Sequence, residues 1–311
     1  MKRAILRKSR RKKVTITLFG ILIASLAIAC VTAYSQFNPK KTETAGTAPY
    51  INNGSESTDE EIADIDMKSF NILLIGSDRR EEEYGLSDAL MILNYQPESK
   101  EIKLASIMRD TYVHIPKYGM QKINAAHAFG GPELASETVE ENFGIKTDFY
   151  AAVDFNSFPK LLDLIIPSGI EIDIPYEMSY GIGMTLEPGK QILNGDQLLG
   201  YVRFRHDKNS DYGRVERQQE VMSAVKDQGV EFKTLLNLRK IIEAADTFID
   251  TDIDKKLLLS IGKSMIQTGT GEMETLRIPA PDTFTEEGKN IGEVLVLDLE
   301  ANQEVLEEFF N

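Results

Sequence analysis

The sequence predicts an α/β domain built on a mixed sheet and preceded by one membrane-spanning helix. Three observations carry this. From residue 69 onward, short apolar runs alternate with stretches of helical periodicity, the pattern of a layered α/β domain. Several of those runs are apolar nearly throughout, as strands covered on both faces are. Ahead of them, residues 14–35 form a run of 22 residues without a charge, directly after a basic head.

The head comes first. Residues 1–13 hold eight of the 35 Lys and Arg (Lys2, Arg3, Arg7, Lys8, Arg10, Arg11, Lys12 and Lys13) and no acid. As a helix at about 1.5 Å per residue, segment 14–35 reaches about 33 Å, enough to cross a hydrocarbon core. The basic flank belongs in the cytoplasm, so everything after the span lies outside the cell membrane. The run exceeds the roughly 7–15 apolar residues of a cleaved signal peptide. Ala27-Ile28-Ala29-Cys30 lacks the Leu usual in a lipoprotein cleavage site, so the segment reads as an uncleaved signal-anchor. Cys30 is the only cysteine and sits in that span, leaving the outer body without a disulfide or a cysteine metal site.

Residues 36–67 read as an extracytoplasmic linker, too poor in apolar side chains to offset the entropy of ordering. Residues 68–311 read as one domain, long enough to build a core of its own. Strands are expected over 70–76, 89–94, 102–107, 149–154, 170–174, 201–205 and 294–297. Helices are expected over 132–143, 156–166, 195–199, 212–227, 235–247, 254–267 and 303–310. Beyond the head, 27 basic residues face 49 acidic ones, a net charge of −22 that repels phosphate backbones and excludes a general nucleic-acid binder.

The common nucleotide and hydrolase signatures are absent: no GxxxxGK[ST], no GxGxxG after a strand, no HExxH, no GxSxG. Three histidines (His114, His127, His206) are too scattered for a zinc site. What remains is a set of Asp and Arg residues at strand ends. Asp78 follows the first strand and Asp88 precedes the second. Two carboxylates completed by substrate phosphate oxygens are how Mg²⁺ is commonly held, and two turn-closing aspartates are the alternative. Arg109 and Asp110 follow the third strand, where open α/β sheets bind ligands; a surface ion pair is the alternative.

The densest signal is Tyr201-Val202-Arg203-Phe204-Arg205, followed by Asp211-Tyr212-Gly213-Arg214-Val215-Glu216-Arg217-Gln218-Gln219. Read as a strand, the first word puts Tyr201, Arg203 and Arg205 on one face. Asp211 is placed to cap the next helix, on which Arg214, Arg217 and Gln218 share a face. Guanidinium forks match phosphate oxygens, so this cluster points to an anion site, with a salt-bridge network through Asp207, Asp211 and Glu216 as the alternative. Lys122-Ile123-Asn124 reads either as a further phosphate or sugar contact or as a turn. Gly130-Gly131-Pro132 reads as a helix start.

These words, in this order, resemble the LytR–CpsA–Psr family: Asn71 to Asp78, Ser87-Asp88, Ser106 to Thr111, Lys122 to Ala125, Val153-Asp154-Phe155, and Tyr201 to Gln219. The basic head, single span, spacer and outer domain resemble the family as well. The resemblance implies an α-β-α sandwich with a hydrophobic channel for a lipid tail. It implies a transferase moving a glycopolymer, such as teichoic acid or capsule, from a polyprenyl-pyrophosphate carrier to peptidoglycan, with membrane lipid as surroundings and no nucleic acid. Mg²⁺, or Mn²⁺ in its place, would sit on Asp78 and Asp88. Arg109, Arg203, Arg205 and Arg217, with Gln218 or Gln219, would grip the pyrophosphate. The chemistry of phosphoryl transfer adds the expectation that Asp110, or Asp78 where the metal does not fully engage it, lies near the attacking hydroxyl. Four places depart from the pattern. Leu86 stands where an Arg is frequent, Ala89 where a Thr is, Met108 where a Pro is, and Ser168-Gly169 where a Gly-Gly precedes a strand. A carrier-binding scaffold or a pyrophosphatase with little transfer, acting on gene expression only indirectly, is the competing expectation.

Overall fold

The computed structural model describes residues 69–78, 84–99, 101–208, 210–228, 247–254, 257 and 273–311. The span at 14–35 and the linker at 36–67 lie outside the described residues. So do the helices expected over 235–247 and 254–267, but for Thr247, Asp254 and Leu257.

The centre is a mixed six-stranded sheet. It contains β1 (Phe70–Ser77), β2 (Ser87–Gln96), β3 (Glu101–Ile107), β6 (Phe149–Asp154), β9 (Asp250–Thr251) and β10 (Met273–Ile278), in the order β10-β3-β2-β1-β6-β9. The short β4 (Tyr112–Ile115) pairs with β5 (Gly119–Lys122), β7 (Ile170–Ile174) with β8 (Gly189–Leu193), and β11 (Phe284–Lys289) with β12 (Gly292–Leu297). In the large sheet β2 runs antiparallel to β1 and β3, while β6 and β10 run parallel to β1 and β3.

Both faces of the sheet are covered, which is why its central strands are apolar in sequence. One face packs α1 (Ala125–Phe143) and α5 (Leu299–Phe310) over Leu73, Ile75, Leu90, Ile92 and Ala105. The other packs α2 (Ser157–Ile165), α3 (Gly195–Arg203) and α4 (Ser210–Gln228) over Ile72, Met91, Leu93, Leu104 and Ala151. Leu73 and Leu93 are fully buried; truncating either to Ala would cost about 2–5 kcal/mol. The expected helix start at Gly130-Gly131-Pro132 lies inside α1 as a kink that follows one short helical turn. Gly131 has φ +72°, and a Cβ there would lie 2.8 Å from the Tyr84 ring, so only glycine fits.

The expected strand over 201–205 is a misreading. Asn194 and Gln197 form a reciprocal capping box that starts α3, and the helix runs on through Arg203 before Phe204 leaves it extended (φ −61°, ψ 135°). Leu198 and Tyr201 are buried by that helix. Five residues alternating aromatic, aliphatic and Arg fit the end of an amphipathic helix as well as a strand.

Candidate active site

The site is assembled where β1 ends and β2 begins. Gly76 pairs with Ala89 and Ser77 with Ser87, so Asp88 is the extra residue of a bulge. A bulged residue is re-aimed relative to the pleat. Asp88 Oδ1 accepts hydrogen bonds from Arg109 Nη1 at 2.7 Å and from Arg214 Nη1 at 3.2 Å.

Arg109 stands just past β3, in a loop fixed by its backbone. The Asn124 N–H donates to the Arg109 carbonyl, the Leu295 N–H to the Asp110 carbonyl, and Thr111 Oγ1 to the Met108 carbonyl. The Arg109 side chain also donates from Nε to Asp211 at 3.1 Å and to Asp110 at 3.3 Å. Lys122 Nζ donates to Asp110 at 2.6 Å, so the Lys122-Ile123-Asn124 turn is also a site contact. Asp211 does not cap α4: it takes Arg205 at 3.4 Å and Arg214 at 3.5 Å. Asp207 holds the helix start instead, through the Ser210 N–H.

Four cations (Arg109, Lys122, Arg205, Arg214) therefore share three carboxylates (Asp88, Asp110, Asp211), a local positive excess on an acidic body. Burial opposes charge on Arg109, yet Asp211, Asp88 and Asp110 hold its pKa above the ordinary value. Arg214, only 4% exposed, goes the other way: burial and the neighbouring Arg109 depress it. Burial would raise Asp211, but Arg214 and Arg109 hold it below the usual carboxylate value. Among the described residues neither Arg214 Nε nor Arg217 Nε, both buried, has a hydrogen-bond partner. Unsatisfied buried donors of this kind are costly.

An apolar channel opens beside this cluster, between the sheet and α2, α3 and α4. It holds about 1130 Å³ of empty space, counting the part open to solvent. Gly76, Ala89, Val153 and Phe155 line the end next to the charges; Ile72, Leu93, Leu162 and Val225 line the body. Gly76 and Ile72 stand four residue steps apart on β1, about 13 Å along the strand.

The sequence-predicted residues divide. Asp88, Arg109, Asp110 and Arg205 are brought into one cluster. Arg203 stays exposed with its guanidinium 5.0 Å over the ring of Phe155, at the channel edge, and carries no ion pair among the described residues. It shares no strand face with Arg205, contrary to the alternation reading. Arg217 is buried against Asp207 at 2.6 Å and donates to the Phe204 carbonyl, so it secures the segment that carries Arg205. Gln218 lines the channel. Gln219 donates to Ser106 Oγ and the Leu276 carbonyl, stitching α4 to β3 and β10. The sequence pattern places Arg214 in the anion cluster and offers Lys122 as a phosphate or sugar contact, whereas the site residues implied by the family resemblance omit both, and Asp211 is expected only as a helix cap or a salt-bridge partner. Arg214 leads the i, i+3, i+4 set on α4, a signal that was available.

Asp78 continues β1, its N–H donating to the Leu86 carbonyl at 3.1 Å; its side chain has no partner among the described residues. Among the described residues no three His, Cys, Asp or Glu gather closely enough to cage a metal ion. A pair of strand-end carboxylates fits Mg²⁺ where phosphate oxygens and water complete its shell, the arrangement that ion prefers.

Residues 31–308 match the LytR_cpsA_psr family. The chain belongs to the LytR–CpsA–Psr family. It is 35% identical over 271 residues to the regulatory protein MsrR of Staphylococcus aureus (strain COL), covering 84% of this chain and 83% of that one. It is 29% identical over 257 residues to the polyisoprenyl-teichoic acid–peptidoglycan teichoic acid transferase TagU of Bacillus mycoides (strain KBAB4), covering 82% and 84%. Among solved structures, TagT bound to LI-WTA is similar with a TM-score of 0.62 and 25% identity, over 82% of this chain and 93% of that one.

Proposed function

We propose that this chain is a membrane-anchored phosphotransferase that moves a glycopolymer from a polyprenyl-pyrophosphate carrier to peptidoglycan. The observation that carries it is the juxtaposition of a cationic cluster, Arg109–Arg205–Arg214, with the mouth of an apolar channel. A polyprenyl pyrophosphate has that same polarity: a long apolar tail and a head of two phosphates. The naming of relatives as teichoic acid transferases supports the same substrate class. The basic head and the uncharged span at 14–35 support anchoring in the cell membrane, N-terminus inside, with the outer domain close to its lipid substrate.

Catalysis of this kind is positioning and charge neutralisation. The acceptor hydroxyl oxygen attacks the phosphorus that bears the glycan. An O–P bond forms, the bridging P–O bond breaks, and polyprenyl phosphate leaves with the electron pair while the hydroxyl proton is lost to water. Arg109 and Arg205 meet the charge that grows on the leaving phosphate, and Arg203 does so from the channel edge. Arg217 and Gln219 fix the loop and helix that present them; Gln218 lies beside the first carbons of the tail. Mg²⁺, or Mn²⁺, on Asp78 and Asp88 would supply further neutralisation of the pyrophosphate. Asp110, held by both Lys122 and Arg109, orients Arg109 in this scheme.

The test is transfer of labelled glycan from a polyprenyl-pyrophosphate saccharide to peptidoglycan by the full chain in detergent, beside Arg109→Ala. Label reaching peptidoglycan with the native chain alone supports the proposal; label released only as free sugar phosphate refutes it in favour of a pyrophosphatase. Leu86 favours a second reading, a carrier-holding protein with little transfer, which predicts bound carrier and neither product.

A further inference from the structure

Beside the strand end that borders the channel, on the opposite face of the sheet, lies a second cavity. It is lined by Ser77, Tyr84, His127, Ala152, Asp154, Ser157 and the segment Thr247–Asp250, with about 480 Å³ of empty space, counting the part open to solvent. Strand alternation explains its place. Along the paired ends of β1 and β6, Gly76 and Val153 face the apolar channel, whereas Ser77, Ala152 and Asp154 face the second cavity. The two hollows therefore flank one strand end, which continues into Asp78.

The chemistry of the two is opposite. The second cavity is walled by hydroxyls (Ser77, Ser157, Thr247), carboxylates (Asp154, Asp250) and aromatic faces (Tyr84, Phe248), with Asp154 also holding the start of α2 by accepting from the Asn156 and Ser157 N–H groups and from Ser157 Oγ. Among the described residues no Lys or Arg lines it, and its polar wall does not suit a lipid tail. Tyr84 is 42% exposed, and its ring packs edge-on to that of His127, whose Nδ1 donates to the Gly85 carbonyl at 2.7 Å. Hydroxyls and carboxylates beside an exposed aromatic face suit a neutral ligand rich in hydroxyls.

We propose that this cavity binds the saccharide of the acceptor, presenting its hydroxyl to the donor across the end of β1. This deepens the transferase reading and rests on it. The bond changes are those given above: the acceptor oxygen joins the phosphorus and the carrier phosphate departs.

The test uses the full chain in detergent, with Tyr84→Ala and Tyr84→Phe. Binding of a soluble peptidoglycan disaccharide is followed by saturation-transfer NMR, alongside acceptor KM and water hydrolysis of the donor. The expected result is a loss of disaccharide signal and a rise of tenfold or more in acceptor KM for Tyr84→Ala. Tyr84→Phe should behave as native, and donor hydrolysis should be unchanged in both. Unchanged acceptor KM in Tyr84→Ala, with transfer intact, overturns the acceptor site and leaves the transferase standing. Disaccharide binding that Tyr84→Ala abolishes, in a native chain that transfers nothing, keeps a saccharide site and removes the transferase. Binding of the stem peptide without the sugars overturns the saccharide assignment.

Discussion

Asp211→Asn tests whether the site is held together by its own counter-charges. The Asp211 carboxylate, 19% exposed, meets Arg109 at 3.1 Å, Arg214 at 3.5 Å and Arg205 at 3.4 Å. A hydrogen bond involving a charged group contributes about 1.5–3 kcal/mol. The Arg205 contact, on a side chain 44% exposed, adds little because water screens it. Asn keeps one acceptor oxygen but no charge, and Arg214 then relies on Asp88 alone. The net loss should be about 2–3 kcal/mol, or roughly 4–12 °C in Tm for a domain of this size. The sign with pH follows from the lowered pKa of Asp211. Its stabilisation is fully present above the unfolded value of about 3.9 and is lost as pH falls through the folded value. Thermal melts of the native chain and Asp211→Asn should therefore differ by a constant amount from pH 7 to about 5 and converge at lower pH. Equal Tm at neutral pH, or a gap that persists unchanged at pH 3, would refute the reasoning.

Other consequences can be measured directly. Arg109→Ala should slow transfer by about 10²–10³, the usual effect of removing one preorganised charge-stabilising donor, which steady-state kinetics on the labelled donor will show. Ala89→Leu narrows the channel where Ala89 faces Gly76, so donor KM should rise at least several-fold while acceptor KM holds. Leu86 is 43% exposed and its carbonyl accepts the Asp78 N–H, so Leu86→Arg places a cation beside the strand end without disturbing the core. It should raise the transfer rate by roughly tenfold, below the about 10²–10³ of a preorganised donor because water screens an exposed side chain, with Tm unchanged. Chelation of divalent ions should stop transfer, and added Mg²⁺ should restore it.

Much of the sheet was legible because its strands are buried on both faces: β1, β2, β3 and β6 advertise themselves as apolar runs. β5, β8 and β11 do not, since GMQK, GKQIL and FTEEGK are short, mixed and largely exposed, and only their hairpin partners make them strands. The segment 201–205 misled because local alternation outweighed the capping box seven residues earlier. That error also misplaced Arg203 relative to Arg205. Asp88 and Arg109 were legible as strand-end residues, but the bulge that turns Asp88 toward Arg109 depends on pairing register, which no local pattern encodes. Arg214 and Arg217 look alike in sequence. Tertiary packing sends one to Asp88 and the other to Asp207.

The central claim is that the cationic cluster and the apolar channel form one donor site. A polyprenyl pyrophosphate carrying a benzophenone midway along its tail would test it by cross-linking to the full chain, followed by peptide mapping. Labels on β1, β2 and α4, around Ile72, Leu93 and Val225, and lost in Arg109→Ala, are the predicted result. Labels scattered over the outer helices, or a channel pattern that Arg109→Ala leaves unchanged, would contradict the account.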